Sequence, residues 1–128
     1  MKIEHAAFQV ADPVALARWY VEHLGLRIKR AQAEPPYGHF LADDGDAVML
    51  EFYNNPALPV PDYSKVHPLA LHVAFLTDDM PATFDRLVEA GAAPESAMRV
   101  SETGDRVAML RDPWGLPIQL ITRAQPML

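Results

Sequence analysis

"HVAFLTDD", residues 72–79, repeats an earlier stretch, "HAAFQVAD", residues 5–12. Both read His-x-Ala-Phe-x-x-x-Asp, at an offset of 67 residues. The agreement runs on past the motif. Pro13 answers Pro81, Leu16 answers Phe84, Trp19 answers Leu87 and Tyr20 answers Val88, now at an offset of 68, as one extra residue near Met80 requires. The same offset carries Glu51 onto Gln119. Agreement along a strand, a cap, a helix and a distant strand marks a duplicated unit.

Each copy reads as β-α-β-β-β. Residues 2–10 alternate, with Ala6, Phe8 and Val10 on one face and Ile3, His5, Ala7 and Gln9 on the other, the period of a strand. Asp12 is an N-cap, with Pro13 at the first helical position. Leu16, Trp19, Tyr20, His23 and Leu24 then line one helix face, and Gly25 ends the helix. Strands follow at 26–32, 37–43 and 47–53, the last two joined by the turn "DDGD" at 43–46. The second copy predicts a strand at 69–77, a helix at 80–90 capped by Asp79 and closed by Gly91, and strands near 97–101, 105–111 and 116–122. Four prolines between residues 54 and 68 exclude a regular helix and mark a surface crossing. The expectation is an α+β fold in a single domain. Module one spans 1–54, the linker 55–67 and module two 68–124, and together they form a curved, open mixed sheet with helices on the outer face. Phe8, Leu50, Phe75 and Ile118 are expected beneath the helices.

The alternation also sorts polar residues. Met49, Glu51 and Tyr53 oppose Val48, Leu50 and Phe52, and Pro117, Gln119 and Ile121 oppose Leu116, Ile118 and Leu120. Each module therefore offers a histidine from its first strand and a carboxylate or amide from its last, away from the helix. A pseudo-twofold axis would gather His5, Glu51, His72 and Gln119. Two imidazoles, a carboxylate and an amide oxygen suit a borderline divalent ion such as Zn, Ni, Co, Mn or Fe, and not an oxygen-seeking ion such as calcium. Such an ion with open positions can polarise a carbonyl or stabilise an enediolate. Taken singly, each of the four has a plainer reading, the histidines as hydrogen-bonded strand residues, Glu51 as an ion-pair partner and Gln119 as a polar strand residue. The symmetry is what favours a shared site.

Composition narrows the field. The 128 residues are half hydrophobic, enough for a real core, and carry a net charge of −6. An acidic chain without a basic stripe is not built to bind nucleic acid. The absence of cysteine removes disulfides, thiolate metal sites and thiol nucleophiles. The opening "MKIEHAAFQV" lacks the apolar core of a signal peptide, and no run reaches the roughly 20 apolar residues of a membrane helix. A soluble, cytoplasmic protein is expected. Nucleophile elbows, phosphate loops and dinucleotide fingerprints are missing.

The pieces "IEHAAFQVAD", "RWYVEHLGL", "VMLEFYN", "LHVAFLTDD" and "DPWGLPIQLI" resemble the vicinal oxygen chelate superfamily, the glyoxalase, bleomycin-resistance and extradiol dioxygenase group. The resemblance implies paired modules, a metal held by His5, Glu51, His72 and Gln119, a homodimer and a small-molecule substrate. Gln119 departs from the usual glutamate, which removes one negative charge beside the ion and one candidate base. The resemblance implies a glyoxalase-like metal-dependent lyase or isomerase acting on vicinal oxygens, with Glu51 as ligand and catalytic base. Two alternatives stand beside it. One is a metal-free, drug-sequestering protein that holds a bulky cationic or aromatic ligand against Tyr53 and Trp114. The other is an extradiol-type dioxygenase, against which the amide at 119 counts. Asn55 sits where glyoxalase I contacts glutathione, and reads equally as a turn residue before Pro56. Gln9 replaces the arginine often found four residues after the first histidine. Tyr53, His39 and Arg106 complete the candidate substrate-binding residues, each with a structural alternative as packing or strand surface.

Overall fold

The structure is a computed structural model that describes residues 1–127. Its elements follow the duplicated order. β1 (His5–Gln9), α1 (Pro13–Leu24), β2 (Arg27–Ala31), β3 (His39–Ala42) and β4 (Met49–Tyr53) make the first copy. β5 (Val73–Leu76), α2 (Met80–Glu89), β6 (Ala93–Val100), β7 (Arg106–Arg111) and β8 (Pro117–Thr122) make the second. A short 3-10 turn, Tyr63–Lys65, lies between them. Each copy forms its own open, mixed four-stranded sheet, ordered β1-β4-β3-β2 and β5-β8-β7-β6. In both, the first and last strands pair in parallel and the remaining pairs are antiparallel. The chain divides into two units, 1–61 and 62 onward.

The helix signals act as their chemistry requires. The Asp12 carboxylate accepts the Ala15 N–H at 2.9 Å, and Asp79 accepts from Ala82 at 3.2 Å. Gly25 takes the left-handed conformation (φ 72°) that closes α1. In the first unit, Tyr20 of α1 meets Phe52 of β4 edge-on at 4.9 Å, and Phe8 lies against Phe52 at 5.9 Å. Leu16, Tyr20, Leu41 and Phe52 are fully buried there, and Met80, Leu87, Leu110, Ile118 and Leu120 in the second unit. Each contributes about 1.5–3 kcal/mol by burial. Leu50 and Phe75, expected in the core, are only half-buried.

Two strands differ from expectation for local reasons. β5 begins at Val73, not at 69, because the His67 carbonyl accepts the N–H groups of Ala70 and Leu71 and turns the chain there. β6 starts early, at Ala93, two residues after Gly91 (φ 101°) turns the chain. It is the edge strand of its sheet, so Pro94 is accommodated in it.

Candidate functional site

In the first unit, register sets the site. Ala7 pairs with Glu51 across β1 and β4, and Phe40 pairs with Glu51 across β3 and β4. Paired residues share a sheet face, and His5, two residues before Ala7, shares it too. His5 and Glu51 meet there, with Nε2 of the imidazole 3.4 Å from Oε2 of the carboxylate. The Nδ1 of His5 contacts the Glu4 carboxylate, and Phe40 meets the imidazole edge-on at 5.5 Å. The ring thus lies between two carboxylates. The hydrogen bond to Glu4, reinforced by the charges of Glu4 and Glu51, raises the His5 pKa above 6.5 against a smaller opposing cost of desolvation. The face stays accessible, since the His5 side chain is 37 % exposed and that of Glu51 20 %.

The second unit repeats the register. Ala74, two residues after His72, pairs with Gln119 as Ala7 pairs with Glu51. His72 Nδ1 lies 2.7 Å from the Pro68 carbonyl oxygen. A carbonyl can only accept, so Nδ1 carries the proton and Nε2 keeps its lone pair in the neutral ring. An acceptor on Nδ1 is the usual support for a metal-bound imidazole, and both histidines have one, although Nε2 of His5 faces the Glu51 carboxylate. The donor chemistry therefore fits a divalent ion. Among the described residues, no group of three or more histidines and acidic residues lies close enough together to hold one.

The candidate substrate residues divide. Tyr53 pairs with Gln9 on the His5–Glu51 face and is half-buried. Asn55 is engaged locally. Its backbone N–H donates to Gln9 Oε1 at 2.8 Å, and its own side-chain oxygen accepts the Ala57 N–H at 3.0 Å. Gln9 is a clamp, with Nε2 donating to the carbonyls of Asn55 at 2.8 Å and Leu58 at 3.1 Å. His39 and Arg106 point elsewhere. His39 pairs with Phe52, on the face covered by α1, is buried, and holds the Tyr37 carbonyl at 2.6 Å through Nδ1. Arg106 pairs with Thr122, on the face of Ile118 and Leu120 and opposite to Gln119, where it is exposed. Register therefore puts both on the sheet face opposite to that of Glu51 or Gln119.

Three residues beside His5 and Glu51 escaped sequence reading. Glu4 lies just ahead of β1. Phe40 faces the site because it pairs with Glu51 across β3 and β4. Arg30, paired with Phe40 across β2 and β3, lays its guanidinium carbon 5.8 Å from the Phe40 ring centre. Alternation through 37–43 was the one available signal for Phe40. A bulge between Ile28 and Arg30 breaks the alternation that would have located Arg30.

A duplicated β-α-β-β-β unit, with an imidazole on its first strand or just ahead of it and an oxygen donor on its last, defines a class of paired-module proteins that bind small molecules. The Glyoxalase/Bleomycin resistance protein/Dioxygenase superfamily model matches residues 2–120, and the chain belongs to that superfamily. Solved structures similar to it include TnmS3, an antibiotic binding protein from Streptomyces sp. CB03234, at 22% identity and a TM-score of 0.71, covering 97% of both chains. A glyoxalase family protein from Enterococcus faecalis is similar at 28% identity and a TM-score of 0.70, covering 94% of this chain and 96% of that one. A glyoxalase-related enzyme from Fulvimarina pelagi is similar at 18% identity and a TM-score of 0.73, covering 96% and 88%. No curated protein matches the chain. No helix among the described residues is long and apolar enough to cross a membrane.

Proposed function

We propose that the protein is a glyoxalase-like lyase or isomerase in which His5, Glu51, His72 and Gln119 hold one divalent metal ion, in a homodimer. The observation that carries this reading is the repeated donor pair. In each unit an imidazole with its Nδ1 occupied stands two residues from the strand partner of Glu51 or Gln119. The ion, when bound, polarises a carbonyl of a substrate with two adjacent oxygens and acidifies the neighbouring C–H. The two imidazoles and the Gln119 amide would hold that ion in place. Glu51 is the one carboxylate of the set, so it takes the proton from carbon and returns it to the adjacent carbon. Tyr53, on the same face, packs against the substrate.

The experiment is solvent-deuterium incorporation into glycolaldehyde and dihydroxyacetone, followed by NMR. Metal-dependent exchange that a chelator abolishes and Glu51→Gln reduces by at least about a hundredfold is expected, the usual range for a general base. Exchange unchanged by the chelator or by Glu51→Gln contradicts the reading.

A second reading, a metal-free binder, draws on the similarity to TnmS3, an antibiotic binding protein, and on the amide at 119. In that case a chelator leaves both thermal stability and ligand affinity unchanged.

A further inference from the structure

We infer that Arg30 and Phe40 form an anion-recognition element beside His5 and Glu51, and that the ligand carries a carboxylate or phosphate at the end remote from its vicinal oxygens. This deepens the proposed function and rests on it for where those oxygens sit. Arg30, Phe40 and Glu51 form one row across β2, β3 and β4, each residue the register partner of the next. Residues in such a row share a face. The Phe40 ring touches the His5 imidazole edge-on and also lies beneath the Arg30 guanidinium, so it links the two.

The charges on β2 are used unequally. Arg27 and Lys29 both pair with Asp46. Arg30 is exposed and forms no ion pair among the described residues. Its contact with an aromatic ring holds the guanidinium in place without consuming its donors. A placed guanidinium with its fork free is suited to bidentate capture of a carboxylate or phosphate. Arg30 and Glu51 are two strand spacings apart, roughly 10 Å. A molecule with its oxygens at His5 and Glu51 would cross the Phe40 ring before reaching Arg30, which favours a flat or apolar middle. The chain's negative net charge acts at long range, whereas this selection is made at contact.

Isothermal titration tests the inference with dihydrocaffeate, which carries both vicinal oxygens and a distal carboxylate, against its methyl ester. Benzoate, benzamide and phenyl phosphate lack vicinal oxygens and report on Arg30 alone. Wild type is expected to favour dihydrocaffeate over the ester by about tenfold, the scale of a charge-assisted pair. Arg30→Met removes the preference, Arg30→Lys keeps part of it, and Phe40→Leu weakens it. If neither catechol binds, the donor set has failed, and a benzoate preference over benzamide that Arg30→Met abolishes still upholds the anion element. Phenyl phosphate against benzoate tells which anion is preferred. No charge preference in either set, or one unaltered in Arg30→Met, overturns the inference.

Discussion

The Nε2 of His5 lies 3.4 Å from the Oε2 of Glu51, joining the first strand of the first unit to its last on the face away from α1. Nothing local in the sequence brings these residues together. Parallel pairing of β1 with β4 does so, and β5 and β8 pair in the same way around His72 and Gln119. The difference lies in charge, a carboxylate in one unit and an amide in the other.

That difference is reversible by substitution. Gln119→Glu adds a negative charge beside the proposed ion and is expected to tighten metal binding by at least about tenfold. Competition with a chromogenic chelator measures this. An affinity equal to or below that of wild type would argue that residue 119 is not a donor.

Gln9 makes a structural prediction. Its amide satisfies the Asn55 N–H and the carbonyls of Asn55 and Leu58. Gln9→Met leaves these groups without their partner and should lower stability by about 1–3 kcal/mol in urea denaturation.

Arg111 anchors the segment that enters the second unit. It donates to the carbonyls of Tyr63 at 2.9 Å, Val66 at 3.0 Å and Gly115 at 3.2 Å. Arg111→Met is expected to cost about 2–4 kcal/mol, since three half-buried carbonyls lose a charged donor. Gly115 sits beside it at φ 89°, where an added Cβ would come within 2.9 Å of the Ser64 nitrogen. Gly115→Ala should cost about 1–3 kcal/mol. Because the two residues share a hydrogen bond, the double variant should lose less than the sum. Denaturation of the three variants checks both the size and the coupling.

Asp105 supplies an acid dependence. Its carboxylate accepts from the Ala124 N–H and from Arg123, both at 2.8 Å, and these bonds hold its pKa below the ordinary 3.8. The fold therefore favours the charged form. The stability this contributes is complete above 3.8 and is lost as pH falls through the lower folded value. Thermal melts between pH 5 and pH 2, roughly the interval for a depressed carboxylate, should show Asp105→Asn less stable than wild type at the upper end. The gap should narrow as the pH falls, and a gap independent of pH would contradict the linkage.

The fold was legible because duplication doubles every signal. Asp12 and Asp79 cap both helices, and Pro13 and Pro81 stand in both first turns, so each half corroborates the other. The sheet faces of Glu51 and Gln119 were legible for a related reason, since strand alternation within β4 and β8 needs only local sequence. What stayed hidden depends on where a strand starts and what pairs with it. His39 and Arg106 could be pocket residues or plain strand residues from sequence, and only register puts them on the sheet faces opposite to those of Glu51 and Gln119. Arg30 was obscured by a bulge, and Glu4 acts through a contact just outside a strand. Asn55 could be read either as a ligand contact or as a turn residue before Pro56, and its side chain closes that turn.

The most direct test of the shared donor set is elemental analysis of untagged protein, comparing wild type with His5→Ala and His72→Ala. The expected result is one divalent ion per chain in wild type and a similar loss in both variants, because each unit supplies half of the ligands. Full metal content in either variant, or a loss confined to one of them, would contradict a single ion held by both halves.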